Sequence, residues 1–352
     1  MNSPKQQFPP LDWRGKSPEV LLARVRDAGI VGMGGAGFPT HLKLQAALQS
    51  DHRTVVANGV ETDPGVTADR ALLKQKGSDV LEGIGIVARI LNASSSYLAV
   101  SNQSIAERLR ICNDHDIAIS VIDNDYQNGE ERVLIEKITG EPISQDSYPA
   151  HNGIAVLNVA TLFAICECVR DGLAVTKRIA TVLGKDQWCE IDTPVHELAN
   201  TSEKLRVGSF ANGRSVKDQD TLKPIHNAIS INLSSQALPC IRCGWCDSAC
   251  PKDLPVERLL SESMGSISSP TAQTHLNECN DCGACVVSCP SRIPIIDYIR
   301  ESRDRQNESG YIAQRANEAR QRFEAKQQRI DSQNQRTMDE RERRMQQEHK
   351  WQ

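Results

Sequence analysis

Two twelve-residue runs, CIRCGWCDSACP at 240–251 and CNDCGACVVSCP at 279–290, share the frame C-x-x-C-G-x-C-x-x-x-C-P. Nothing else in the chain restricts its fold as tightly. Of twelve cysteines, eight fall between Cys240 and Cys289. A disulfide scaffold is short, secreted and cysteine-dense throughout. This chain has 352 residues and starts Met-Asn-Ser-Pro-Lys-Gln-Gln, with no apolar signal-peptide core, so a cytoplasmic location is expected. Thiols concentrated in a reducing compartment point to metal. The frame is the spacing of bacterial two-cluster ferredoxins, in which three cysteines on a tight loop hold one cube and the fourth reaches the cube of the other run. It predicts one [4Fe–4S] cluster on Cys240, Cys243, Cys246 and Cys289, and a second on Cys279, Cys282, Cys285 and Cys250. Gly244 and Gly283 let the backbone turn around a cube, and Pro251 and Pro290 redirect the chain after the fourth ligand. The competing readings are two zinc sites or buried structural thiols, but zinc more often uses two separated C-x-x-C pairs closing one tetrahedral site. Cys112, Cys166, Cys168 and Cys189 lie outside the frame and read as inert buried thiols.

The rest of the chain divides by pattern. Residues 1–16 read as an unstructured lead. Residues 17–173 alternate strand-like and helix-like runs, which implies an α/β domain with a mostly parallel sheet. Ser17, Pro18 and Glu19 open a helix that Gly29 ends. Residues 54–60, 96–100 and 117–123 read as strands, and 39–48, 80–91, 105–111, 130–138 and 154–169 as helices. Residues 174–236 read as a small α+β module, with strands at 179–183 and 229–233 and a helix start at 194–198. Residues 237–300 are the ferredoxin-like segment. Residues 301–352 hold 12 Lys/Arg and 10 Asp/Glu with no Pro, and read as a charged, solvated helical tail. No run of 18 or more apolar residues occurs, so a spanning helix is excluded on length. A net charge of −4 and an aromatic content of 4% argue against nucleic-acid binding.

Two further constellations carry chemistry. Gly32-Met33-Gly34-Gly35-Ala36-Gly37 matches G-x-G-x-x-G, yet a helix precedes it, unlike a dinucleotide fold. Its glycines expose backbone N–H groups ahead of a helix, which suits a phosphate or a flat cofactor, with Lys43 one turn on. The alternative is a tight turn at a domain crossing. Asn58, Glu61, Asp63 and Asp69 follow the strand at 54–60, where a parallel sheet places its ligand crevice. The carboxylates suit acid–base work, hydrogen bonding to a flavin ring or a ribose, or plain solvation.

Taken together, these residues resemble the RnfC family, a component of the Rnf (or Rsx) ion-translocating electron-transport complex that is related to the flavin subunit of respiratory complex I. The resemblance is carried by AGIVGMGGAGFPTHLKL at 28–44, NGVETDPGVTADRALL at 58–73, YQNGEERVLIEKITGEPI at 126–143, both cysteine runs and CPSRIPIIDYIR at 289–300. It implies an FMN-binding α/β domain, a β-grasp-like module and a two-cluster ferredoxin domain. It also implies that Gly32, Gly34, Gly35, Gly37 and Lys43 meet the FMN phosphate side, and that Asn58, Glu61 and Asp63 face the flavin ring or NADH. The function implied is electron transfer between NADH and a low-potential carrier, coupled to ion movement. The partners implied are the other subunits of a membrane complex and a ferredoxin or similar carrier. The place implied is the cytoplasmic face of the inner membrane, peripherally bound.

The sequence departs from the family pattern in three places. A further β domain usual before the AGIVG segment is replaced by a short lead, through lineage loss or truncation. The Glu-x-Glu-Pro motif reads Glu61-Thr62-Asp63-Pro64, and the usual Tyr-Pro pair reads Tyr126-Gln127. Three other functions compete. One is an iron–sulfur relay without flavin chemistry, one a soluble reductase resembling the corrinoid reductases, and one an assembly adaptor working through the charged tail.

Overall fold

The computed structural model describes residues 7–144, 147–232, 237–265 and 275–308. The first six residues and most of the expected charged tail lie outside them. Residues up to Asp253 together with Asp281–Ile296 form one compact unit; Leu254–Asn280 and the residues from Asp297 form another.

The first unit opens with a four-stranded sheet of order β3-β2-β1-β4. Its strands are β1 (Thr54–Gly59), β2 (Ser95–Val100), β3 (Ala118–Val121) and β4 (Ile154–Asn158), all paired in parallel. Helices α1 (Pro18–Asp27), α2 (Thr40–Ala47), α3 (Ala68–Leu91), α4 (Gln103–Ile111), α5 (Glu131–Thr139) and α6 (Val159–Cys166) connect and cover it. Side chains alternate across the sheet with period two. Val55, Ala57, Leu98 and Val100 face a large core with α3 and α6, while Val56, Ala99 and Val156 face a smaller one with Leu134 and Ile135 of α5. Each fully buried aliphatic side chain contributes about 1.5–3 kcal/mol.

Three expectations are corrected here. The run 154–169 is not one helix: Ile154–Asn158 is the strand β4, and the helix begins at Val159. Gly153, at φ +79°, sets the strand's start, and a Cβ there would lie 1.9 Å from the His52 carbonyl oxygen. Asn158 then starts α6 by accepting from the Ala160 N–H at 2.8 Å. The helix expected at 80–91 begins at Ala68, with non-helical backbone at Lys76. The lead is seated rather than unstructured from residue 7 onward. The Gln7 and Phe8 N–H groups donate to the Gly172 carbonyl and the Leu11 N–H to that of Val169. Trp13 is buried, and its indole N–H donates to Glu82 at 2.9 Å.

A five-stranded sheet of order β6-β5-β9-β7-β8 follows. Its strands are β5 (Lys177–Val182), β6 (Lys185–Glu190), β7 (Leu205–Val207), β8 (Arg214–Ser215) and β9 (Ala228–Ile231), with α7 (Val195–Ala199) between the two hairpins. β5 and β9 pair in parallel at the centre and the other pairs are antiparallel, which is the β-grasp arrangement. The strands expected at 179–183 and 229–233 and the helix start at 194–198 fall on β5, β9 and α7; β6, β7 and β8 are additional, and residue 233 lies outside the described residues.

In the cysteine segment, α8 (Trp245–Ser248) follows the first loop. The second loop leads into Ala284–Ser288, a helix one residue longer. The backbone repeats along with the sequence. Left-handed residues stand at the same places in both runs: Arg242 (φ 55°) and Asp281 (58°), Gly244 (74°) and Gly283 (81°), Asp253 (51°) and Arg292 (53°). The second unit contains α9 (Val256–Met264), which buries Val256, Leu259 and Leu260, and Arg305 donates to its Ser263 carbonyl at 3.0 Å. Among the described residues no helix is long and apolar enough to cross a membrane.

Candidate functional site

The order of the parallel strands reverses between β1 and β4, and a crevice forms at such a reversal, outside the carboxyl ends of the strands. Asn58, one residue before the end of β1, and Asn158, the last of β4, are register partners. Gly59 beside them is tightly enclosed: a Cβ would stand 3.0 Å from the Ala99 carbonyl oxygen and from side chains of Leu73 and Val159.

The glycine loop lies over the same end. The Gly32 N–H donates to the Phe38 carbonyl at 2.8 Å, the Gly37 N–H to that of Gly32 at 3.2 Å, and the Met33 N–H to Thr161 Oγ1 at 2.9 Å. A Cβ on Gly34 would sit 3.2 Å from the Asn158 Cβ, and Gly35 adopts φ +118°. Gly34, Gly35 and Ala36 are exposed, and among the described residues their N–H groups meet no acceptor. A flat, phosphate-bearing cofactor fits such a cradle, with spare backbone donors above and an asparagine pair below. Lys43 is ion-paired to Glu131 Oε1 at 2.7 Å and donates to the Val156 carbonyl of edge strand β4 at 3.0 Å. A phosphate reaching Lys43 would replace Glu131.

Three carboxyl groups line the crevice. Glu61 accepts from the Asp69 and Arg70 N–H groups at 2.8 and 3.1 Å, at the start of α3. Burial, then the neighbouring Asp69, pushes its pKa up to about 8. Burial also raises that of Asp63, against hydrogen bonds from Ser209, Tyr126 and Asn212. Asp69 is raised by burial too, opposed first by Arg178 and then by the Asn158 amide, which donates to it at 2.6 Å. Arg178 is buried on β5, donates to the Met33 carbonyl at 3.2 Å and also bonds the Pro224 carbonyl. Burial lowers its pKa to about 10.

The Glu61 shift has a defined sign. A carboxyl whose folded pKa lies above its unfolded value of 4.5 binds more protons when folded between those limits, so its stabilisation is complete below 4.5 and lost as pH climbs to about 8. Glu61→Gln is expected to flatten this loss. Its apparent unfolding midpoint relative to wild type rises between pH 5 and pH 8, by roughly 1 kcal/mol or more in stability. Equal pH slopes for the two proteins would contradict the assignment.

The expected Gly32, Gly34, Gly35, Gly37, Asn58, Glu61 and Asp63 are therefore gathered at one end of the sheet, while Lys43 is held by Glu131 and the middle of β4. Sequence reasoning left out Asn158, Thr161, Arg178 and Ser209, which complete the crevice. Asn158 carried a readable signal: Gly153 and a short apolar run ahead of a capping asparagine.

The cysteine runs present the second set of groups. None of the twelve cysteines is joined in a disulfide. Tetrahedral zinc with bonds of about 2.3 Å holds its sulfurs roughly 3.8 Å apart. The doubled frame itself favours the larger iron–sulfur cube over a zinc site. The Arg242 N–H points at Cys240 Sγ at 3.4 Å. Burial raises the pKa of the Cys282 thiol, the Ala284 N–H opposes this, and Cys250 of the first run adds to the rise. The group Asp79, Glu82 and Cys166 is close enough for a metal, but Arg170 donates to Asp79 and Glu82 at 2.8 and 2.7 Å and satisfies the acids. Cys166 and Cys168 are fully buried, and burial pushes the Cys168 thiol up to about 11.

Residues 25–167 match the family model of the Nuo51 FMN-binding domain, and residues 239–294 that of the 4Fe-4S dicluster domain. The RnfC component of the ion-translocating oxidoreductase complex of Salmonella arizonae is 31% identical over 338 residues, covering 89% of this chain and 50% of that protein. Its counterpart in Salmonella gallinarum gives the same identity and coverage. The resemblance drawn from the motifs thus holds over most of the chain, which spans about half the length of these curated relatives. Chains of an NAD+-reducing [NiFe]-hydrogenase, air-oxidized and H2-reduced, superpose with TM-scores of 0.60 and 0.59 at 18% identity. The match covers 82% of this chain and 63% of theirs, and at that identity the likeness is one of fold.

Proposed function

We propose that this chain is the electron-carrying part of an ion-translocating oxidoreductase, the class its curated relatives are named for, and that it holds FMN and two [4Fe–4S] clusters. One observation carries the reading: the β-grasp loop 209–213 lies against both sets of groups. Its Ser209 hydroxyl meets Asp63 of the crevice at 3.2 Å, and its Ala211 carbonyl packs on Gly283 of the second cysteine run. FMN, when bound, supplies the conversion between paired electrons and the single electrons that iron–sulfur cubes carry.

The chain's own residues do the rest. Gly34, Gly35 and Ala36 offer N–H donors to a phosphate. Asn58 and Asn158 give the ring an amide floor, the Asn58 oxygen being already oriented by the Val60 N–H at 3.0 Å. Burial raises the pKa of Glu61, Asp63 and Asp69, that of Glu61 to about 8, so Glu61 holds a proton in the crevice near neutral pH. The cluster ligands are Cys240, Cys243, Cys246 and Cys289 for one and Cys279, Cys282, Cys285 and Cys250 for the other. NADH is the proposed donor, and a ferredoxin or similar carrier and the rest of the complex are the partners. Attachment is peripheral, on the cytoplasmic face of the inner membrane.

The test is anaerobic reconstitution with iron, sulfide and FMN, followed by NADH and a viologen dye. Dye reduction that depends on FMN is the expected result; dye reduction without FMN, or none from fully loaded protein, contradicts it. Gly34→Val drives a branched side chain toward Asn158 and is expected to weaken FMN binding at least about 100-fold, which flavin fluorescence titration reads, with iron content unchanged.

A further inference from the structure

The two cysteine runs share a frame but not their surroundings. In the first, Cys240 and Cys243 are exposed, and so are Ile241 and Trp245. In the second, Ala284, Cys285 and Val286 are buried. Burial alone makes a cluster harder to reduce, because reduction adds negative charge in a low-dielectric place. One side chain opposes this at the second run. The Tyr126 hydroxyl donates to the Cys282 carbonyl, and a Cβ on Gly283 would stand 3.1 Å from the same hydroxyl. The Asp63 carboxyl of the crevice lies beside the same hydroxyl and competes with the Cys282 carbonyl for its single proton. Tyr126 therefore stands between the crevice and the second cysteine loop, inside one compact unit.

We infer that Tyr126 is a positioning residue that tunes the second cluster: its O–H, aimed at the Cys282 carbonyl, raises the reduction potential of the cluster on Cys279, Cys282, Cys285 and Cys250 and leaves the other unaffected. The O–H dipole turns its positive end toward the loop, which favours the more negative, reduced form, as donors to cluster ligands do generally. Gly283 makes the approach possible, since any Cβ there would also lie 2.7 Å from the Ala211 carbonyl oxygen. A cleft of about 420 Å³ lined by Asp125, Tyr126, Lys137, Ala249 and Ala284 opens beside this contact. The inference rests on the reading that the second run carries a cluster.

The experiment is a paramagnetic-resonance redox titration of the reconstituted full chain, with iron content measured alongside. Tyr126→Phe is expected to keep both clusters and to lower the reduced-to-oxidised ratio of one of them, at fixed potential, by about three- to tenfold. The upper end corresponds to about 59 mV for a one-electron couple. In the wild type, an exchangeable-proton coupling on that cluster is expected to vanish in the variant. Should the variant load poorly, 3-fluorotyrosine placed at position 126 strengthens the donor without changing its shape, and raises the same potential. Two full clusters at unshifted potentials would overturn the inference while leaving the two-cluster reading intact. Equal shifts of both clusters would reduce Tyr126 to a general support and also overturn it. A wild-type chain holding one cluster would overturn both.

Discussion

Cys246→Ala and Cys250→Ala, only four positions apart, are expected to destroy different clusters. Cys246→Ala should lose the same spectroscopic signal as Cys289→Ala, and Cys250→Ala the signal lost in Cys282→Ala. Each variant should retain about half of roughly eight irons. The reason is geometric. Cys246 is the second residue of α8, directly after the loop whose backbone turns through left-handed residues at Arg242 and Gly244. Cys250 stands beyond the end of α8, and the frame sends it to the cube of the other run. Loss of one thiolate from a cube removes a ligand that water replaces poorly, so the effect is loss of the whole cluster rather than a small shift. Iron analysis with low-temperature paramagnetic resonance reads the result. If Cys246→Ala and Cys250→Ala lose the same signal, each run holds its own cluster and the interlocked assignment is wrong.

Gly83→Ala is expected to damage the flavin-type domain severely through a single methyl. Helix propensity alone favours alanine in mid-helix by about 1 kcal/mol. Sterics reverse the sign. A Cβ at Gly83 of α3 would stand 2.1 Å from the Leu162 carbonyl oxygen of α6, a backbone atom that moves only if the helix moves. Overpacking of a core costs about 1–3 kcal/mol even when side chains can adjust. Here α6 would have to shift, and with it Thr161, which holds the glycine loop through the Met33 N–H. A loss of at least about 3 kcal/mol and a fall in FMN affinity are expected together. Thermal unfolding and flavin titration of the variant check this, and wild-type values for both would show that the two helices do not meet at Gly83.

How much of this was legible in the sequence depended on how local each signal is. The cluster ligands were readable because their spacing encodes one tight loop twice, and the backbone repeats at the same residues. The crevice was half readable. The glycine loop and Asn58, Glu61 and Asp63 stand next to a recognisable strand, so local order suffices. Asn158 was hidden because an apolar run such as 154–169 fits a buried strand followed by a helix as well as it fits one helix. Arg178 and Ser209 come from the β-grasp module and reach the crevice only after chain folding brings β5 and the loop 209–213 onto the parallel sheet. Nothing local announces that. The seated lead was missed for a similar reason: Trp13 is anchored by Glu82, far along the chain. The short strands β7 and β8 have too few residues to show alternation.

The central claim is that one chain holds both a flavin and two iron–sulfur cubes. Quantifying flavin, iron and acid-labile sulfide in a single anaerobically reconstituted preparation tests it most directly. The prediction is FMN, iron and sulfide in a ratio of about 1:8:8. Zinc in place of iron, or a chain that fills with iron and sulfide yet retains no flavin, would contradict it.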